Sequence, residues 1–424
     1  MSDPFLVPFK QRLATEKPKP QKRVERIQTE FKYNHSNEDT DKQRLTMAQK
    51  HIEDIKKEHE RLMVGVTDEE TKPKSVLETL FNESIDQSKK QTSLSDDLHL
   101  SSTVITKTTR HLNKACTAVK INKNDQNKVY VASLNGKIMI YDIITNQYCG
   151  ELTVPCIDKT KIRPEILSLA ISHDNKYIVA TTKNHHILIY DSSNNQLLGT
   201  LKGHQDIVTS CVFRDGTYEL YSCSYDRSVK VWNIENISLM DTLYGHRSNI
   251  NCIDALSKER CVTGSSDKSI RIFKVAEESQ LIYNAYNEIE CVSLLNETTY
   301  IAGSFDGTLS VYIVSKKTPK YILEAAHKQV TALCAIQYSD VIFSGGVEGI
   351  VKMWKINMPT SFKSSETLSL ELLGEVNVGG CVNSIDVTKD HSAIVCAIGK
   401  RYRLGDWNKT ENAVNGISIV KLHD

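Results

Sequence analysis

The sequence predicts an all-β fold built from seven copies of one repeated unit, preceded by an α-helical extension. Three observations carry this reading. After about residue 103 the apolar residues alternate with period two, whereas the segment before it repeats at helical spacing. The second part also repeats itself: GHQDIVTSCVF…LYSCSYDRSVKVWN, GHRSNINCIDA…CVTGSSDKSIRIFK and AHKQVTALCAI…VIFSGGVEGIVKMWK are copies of one pattern. Finally, an aromatic stands near the end of each unit, at Tyr141, Tyr190, Trp232, Phe273, Tyr312 and Trp354, at intervals of 49, 42, 41, 39 and 42 residues.

Residues 1–37 read as a disordered tail, because Pro4, Pro8, Pro18 and Pro20 break any regular element. Within it Lys17, Lys19, Lys22, Arg23 and Arg26 form a basic cluster that fits a nuclear-import address or a nucleic-acid arm, and equally a solvated polar tail. Residues 38–100 form the helical extension. Over 40–63, Leu45, Ala48, Ile52, Ile55, His59 and Leu62 repeat at spacings of 3 and 4, a narrow apolar stripe suited to docking on a partner protein. A second helix is expected near 75–91, with Val76, Leu77, Leu80, Phe81 and Ile85 on one side and capping-box spacing between Ser75 and Glu78.

The repeats fill residues 101–424. His204 precedes Trp232 by 28 residues, and both His246–Phe273 and His327–Trp354 span 27. This resembles the WD-repeat signature, which implies a seven-bladed β-propeller with one four-stranded blade per unit. The seventh unit is degenerate: VNSIDVT and SAIVCAIG supply its first strands, and either RYRLGDW or GISIVKL its third. The second choice is preferred, since Gly416 stands five residues before Lys421 just as Gly136, Gly307 and Gly349 stand five before their aromatics. The fourth strand then comes from STVITKTT ahead of the first blade, so that pairing of the two ends closes the ring and removes the exposed sheet edges. On this register 400–415 is an insertion between the second and third strands.

Composition narrows the function. Lys+Arg is 53 and Asp+Glu 52, which excludes a uniformly basic nucleic-acid binder but not a local patch. No apolar run reaches the roughly 18–20 residues of a membrane helix, and no secretory signal opens the chain, so an intracellular protein without membrane partners is expected. The 11 cysteines are odd in number, contain no CxxC and sit largely in apolar segments, which reads as free buried thiols. His185 and His186 lack a further His or Cys at ligand spacing and read as a turn, so no metal and no cofactor are expected. His204, Ser222, Asp226 and Trp232 look like a catalytic set, yet His246 with Asp267 and His327 with Glu348 repeat the arrangement. An active site is not normally built repeatedly around a ring. The expectation is a non-enzyme in which His204, Asp226, Trp232, His246, Asp267, His327 and Trp354 are structural blade residues.

The insertion differs from the rest. KRYRLGDWNK (400–409) combines Lys400, Arg401, Arg403 and Lys409 with Tyr402 and Trp407, and cations with aromatics bind phosphates and stack on unpaired bases. A solvated loop whose Trp407 plugs the last blade is equally consistent with the composition. Loops between second and third strands leave the same propeller face as loops entering first strands. That face would gather Arg110 and Lys114 of blade 1 with Lys159, Lys161, Arg163 and Lys183 of blade 2, diluted by Asp158, Glu165 and Asp406. A local patch on a neutral protein favours selective RNA binding.

DALSKERCVTG, RIFKVAEESQLIY, DRSVKVWN and RLGDW…GISIVKL, with the helix TDKQRLTMAQKHIEDIKKE, resemble the WD-repeat proteins of the U3 small nucleolar ribonucleoprotein over roughly residues 40–424. The resemblance implies a non-catalytic protein that binds the box B/C region of U3 small nucleolar RNA beside a kink-turn-binding protein. It further implies a place among the small-subunit processome proteins, met through the N-terminal helices, and work in the nucleus and nucleolus during early pre-ribosomal RNA processing. A general WD-repeat interaction scaffold, such as a ubiquitin-ligase adaptor or spliceosomal component, would use the same ring to bind peptides.

Overall fold

A computed structural model describes residues 93–95, 98–101, 104–107, 114–123, 125, 128–145, 147–156, 163–358, 368–405 and 413–422. The two expected helices, the basic cluster within 17–26, and Arg110, Lys159, Lys161, Trp407 and Lys409 lie outside the described residues.

Seven four-stranded antiparallel sheets form the blades of a β-propeller. Their first strands, Cys116–Ile121, Ile166–Ile171, Val208–Phe213, Ile250–Ala255, Ile289–Leu294, Val330–Ala335 and Cys381–Val387, touch in a closed circuit around a central channel. Six blades use consecutive strands. The seventh joins Cys381–Val387, Ala393–Gly399 and Gly416–Lys421 to Val104–Lys107 from the other end of the repeat region, with Val104 opposite Val420 and Lys107 opposite Ile417. The segment before that strand is held as well. His99 and Ser101 N–H groups donate to the Leu422 and Lys421 carbonyls, Leu98 is buried between blades 6 and 7, and Asp340 accepts the Leu94 N–H at 2.8 Å.

Apolar alternation places one side chain in two toward the neighbouring blade, so the cores lie between blades. Inner strands such as Tyr177–Thr182 are buried throughout, while the outermost, such as Ser238–Tyr244, are largely exposed. Blade-to-blade contact is close enough to require glycine: a Cβ on Gly264, Gly303 or Gly345 would stand 2.4, 2.5 and 2.5 Å from Ile289, Val330 and Val382 of the next blade. The position five before each aromatic is a left-handed turn residue, Gly307 at φ +85° for example. Blade 2 places His185 there at φ +62°, which makes it a turn residue.

Two rings of hydrogen bonds staple the first strands together. At the channel end near the strand starts, a side chain at the second position of a first strand (the third, Asn383, in blade 7) donates to a carbonyl at the start of the next blade's first strand. Thr117 donates to Ile166 O (2.8 Å), Thr209 to Ile250 O (2.7 Å), Asn251 to Ile289 O (2.8 Å), Thr331 to Val382 O (2.5 Å) and Asn383 to Cys116 O (2.7 Å). At the other end, Asp254, Ser293 and Asp386 accept the N–H groups of Leu294, Ala335 and Ile121 in the following blade. Eight of the 11 cysteines are buried in this framework as free thiols, and burial pushes Cys223 and Cys334 up to about 12.

Candidate nucleic-acid interface

The loops entering first strands and the turns between second and third strands share one face, because histidines from the former bond carboxylates in the latter. His204 Nδ1 lies 2.8 Å from Asp226, His246 Nδ1 3.0 Å from Asp267, and His327 Nδ1 2.5 Å from Glu348. Behind each imidazole the second strand supplies a hydroxyl to Nε2: Ser222 at 2.8 Å, Thr263 at 2.8 Å and Ser344 at 2.7 Å. Trp232 and Trp354 donate their indole N–H to Ser222 and Ser344 at 2.8 and 2.7 Å.

Burial pushes the His204 imidazole below its ordinary pKa, although Asp226 pulls the other way. Burial likewise raises the Asp226 carboxyl, but hydrogen bonds from His204, Ser228 and the Gln205 N–H outweigh it and hold it well below the usual carboxylate range. A neutral imidazole with Nδ1–H toward the carboxylate and Nε2 accepting from the hydroxyl satisfies every member. The Ser222 hydroxyl is fully buried and bonded on both sides, an arrangement that holds a turn and presents no nucleophile. Blade 5 replaces the set with Ala285, Ala302 and Tyr312, and packs instead: Tyr300 and Tyr312 stack with centroids 5.1 Å apart, with Tyr283 edge-on.

On this face the insertion turns inward across the channel mouth. Tyr402 is 1% exposed, and its hydroxyl donates to Glu290 Oε2 of blade 5 at 2.5 Å. The Arg403 guanidinium reaches the carbonyls of Thr209 in blade 3 (3.4 Å) and Asn251 in blade 4 (3.2 Å). Asn383 fixes the backbone between them, accepting the Arg403 N–H at 3.0 Å and donating to the Arg401 carbonyl at 3.1 Å. Leu404 packs on Leu134 and Leu167 of blades 1 and 2. Below the loop a channel cavity of about 220 Å³ remains, with Arg403 in its lining.

Two expected RNA contacts therefore change role. Tyr402 has no free ring face for a base, and Arg403 turns its guanidinium into the channel mouth, where Nη1 and Nη2 each reach a backbone carbonyl, so these side chains anchor the loop. The plug is formed by Tyr402 and Arg403.

The outward half of the loop meets the expected cations. Glu165, in the loop entering blade 2, lies 3.1 Å from Lys114, 3.1 Å from Lys183 and 3.7 Å from Arg401. Burial raises the Glu165 carboxyl, but the two lysines outweigh it and lower its pKa. Lys114 and Lys183 are half exposed, and Lys400 beside Arg401 is exposed. Arg163 stands apart, sharing Glu151 with Lys137 at 3.8 and 3.1 Å. The described part of the patch thus holds four cations, Lys114, Lys183, Lys400 and Arg401, around Glu165, drawn from blades 7, 1 and 2. Sequence reasoning missed Lys137 and the anchors Glu290 and Asn383. The available signal was the aligned second positions, Thr117, Leu167, Thr209, Asn251, Glu290, Thr331 and Asn383, among which Leu167 and Glu290 break the Thr/Asn pattern.

Comparison with known proteins agrees with this architecture. The family "WD domain, G-beta repeat" matches residues 195–233, 237–274 and 317–355, the stretches that contain most of the three His–carboxylate blades. Ribosomal RNA-processing protein 9 of Saccharomyces cerevisiae is 26% identical over 333 residues, covering 60% of this chain and 57% of that protein. U3 small nucleolar RNA-interacting protein 2 of Homo sapiens is 27% identical over 309 residues, covering 61% and 55%. The solved structure described as "Crystal structure of RRP9 WD40 repeats" superposes with a TM-score of 0.71 at 28% identity, covering 77% of this chain and all of that one. The chain thus spans somewhat more than half the length of these curated relatives.

Proposed function

We propose that this member of the WD-repeat proteins is a non-catalytic RNA-binding scaffold of the U3 small nucleolar ribonucleoprotein. It holds the box B/C region of U3 RNA beside the kink-turn-binding protein of that motif. Through this it serves early pre-ribosomal RNA processing and small ribosomal subunit biogenesis in the nucleolus, with the N-terminal segment meeting other processome proteins. The relatives' names support the setting. The observation that carries RNA contact is the convergence of Lys114, Lys183 and Arg401, with Lys400, at the root of the insertion. Three basic side chains held within reach of one carboxylate leave a net positive, solvent-facing surface for a phosphate chain, and cations of this kind set both affinity and its salt dependence.

The loop across the channel mouth weighs against a general scaffold that reads a peptide in the channel from this face. The test is binding to a U3 fragment carrying box B/C, with its kink-turn protein present, at several salt concentrations. Reversing Lys183 and Arg401 to Glu should weaken binding strongly and lower the log–log salt slope by about two, roughly one per lost phosphate contact. Unchanged affinity and slope would remove the patch from RNA recognition.

A further inference from the structure

We propose that Glu290 and Tyr402, neither of which faces the RNA surface, are positioning residues for it. They lock the insertion across the channel mouth so that Lys400 and Arg401 stand beside Lys114 and Lys183. This rests on the RNA-binding reading above and adds to it the residues that set the geometry of the site.

The argument begins with the stapling ring. Five of the seven second positions are Thr or Asn, and each donates a hydrogen bond to the next blade. Blades 2 and 5 give up that bond, since neither Leu167 nor an ionised Glu290 can donate. Both exceptions are used by the insertion: Leu404 packs against the cluster containing Leu167, and Tyr402 donates to Glu290. The two departures from the repeat therefore coincide with two of the three side-chain anchors of one loop, the third being Arg403. Burial raises the carboxyl of Glu290, which is 6% exposed, and the Tyr402 hydroxyl and the Arg403 charge oppose that rise, while Asn383 clamps the backbone between anchors.

The loop consequently crosses from blade 7 to anchors on blades 3, 4 and 5, while its outward residue Arg401 reaches back to Glu165 of blade 2. The two halves are adjacent in the chain: with Tyr402 and Arg403 seated, Lys400 and Arg401 have little freedom left. Loop ordering settled before RNA arrives is ordering the RNA need not provide, and a loosely supported site loses affinity even when every contact residue is present.

The experiment uses the full chain and the U3 box B/C fragment with its kink-turn protein, and reads RNA affinity, salt slope and the rate of tryptic cleavage after Arg401 and Arg403. Tyr402→Phe removes only the hydroxyl. It should speed cleavage, weaken RNA binding about tenfold and lower the salt slope by about one as Arg401 leaves its place. Glu290→Ala removes the acceptor of the Tyr402 hydroxyl and the carboxylate beside Arg403, and should likewise speed cleavage, weaken RNA binding and lower the salt slope. Should Tyr402→Phe fail to melt near wild type, Leu404→Ala loosens the second anchor, with the same three effects expected. Faster cleavage with wild-type affinity and slope overturns the positioning role while leaving the RNA reading intact. Wild-type binding by Lys183→Glu/Arg401→Glu as well removes the RNA reading, and the positioning role with it.

Discussion

Trp232 and His204 are joined through one atom: the Ser222 hydroxyl lies 2.8 Å from the indole nitrogen and 2.8 Å from the imidazole Nε2. The hydroxyl fastens the third strand of blade 3, through the second, to the loop that enters the blade. Ser222→Ala leaves two buried polar groups without partners, at about 1–3 kcal/mol each. Urea unfolding should show that loss with an unchanged m-value, and RNA affinity measured on the folded protein should not move. Blade 5 already carries Ala302 at this position, with no histidine or tryptophan to strand, so Ala302→Ser should gain nothing. Equal stability of Ser222→Ala and wild type would show that the relay contributes little.

Acid sensitivity follows from the same relays. His204, His246 and His327 have folded pKa values below the ordinary value, chiefly through burial. The unfolded chain therefore binds the proton first, and their contribution is complete above about pH 6.5 and declines as pH falls below it. Asp254 opposes this. Burial in the channel wall raises it to about 6, so the folded protein binds that proton first and gains stability as pH falls from 6 toward about 4. Asp254→Asn should consequently make the fall in Tm between pH 6.5 and 4.5 steeper than in wild type. A shallower fall contradicts the assignment.

The segment ahead of the closing strand is predicted to contribute to stability. Asp340 accepts the N–H groups of Leu94 and Ser95 and the Ser93 hydroxyl, and Leu98 is 2% exposed in the core of blades 6 and 7. Leu98→Ala should cost about 2–5 kcal/mol, as for other buried leucines. Asp340→Ala should cost less and should speed proteolysis within 93–101 first. Loss of Leu98 without a change in unfolding midpoint would mean that the strap lies on the blades without holding them.

What was legible in the sequence divides along a physical line. The three blades with complete His–carboxylate relays announce themselves, because each relay lies within one unit and its residues recur at nearly fixed spacing. His185 likewise follows from its place five residues before Tyr190. The role of the insertion did not follow in the same way. Tyr402 and Glu290 are 112 residues apart, and a loop has no period to say which side chain turns inward. Composition alone made Tyr402 and Arg403 look like RNA contacts, whereas the burial of Tyr402 and the backbone partners of Arg403 assign them to the plug. The deviation at Glu290 was visible in the aligned repeats, but its meaning required the partner that occupies it.

Glu165 offers the sharpest test of the patch, because it both organises and opposes. It draws Lys114, Lys183 and Arg401 together, and it cancels part of their field. Exposed ion pairs contribute only about 0–1 kcal/mol, so Glu165→Gln should leave Tm nearly unchanged. Removing the carboxylate raises the local positive potential and frees two lysines for phosphate. Affinity for an unstructured RNA such as poly-uridylate should therefore rise, with a salt slope steeper by about one. Affinity for the U3 fragment should rise less, since its cations lose the acceptor that ordered them, and discrimination between the two RNAs should narrow. If poly-uridylate instead binds more weakly than to wild type, the three cations are not a phosphate surface, and Glu165 with its partners is simply the seam between blades 7, 1 and 2.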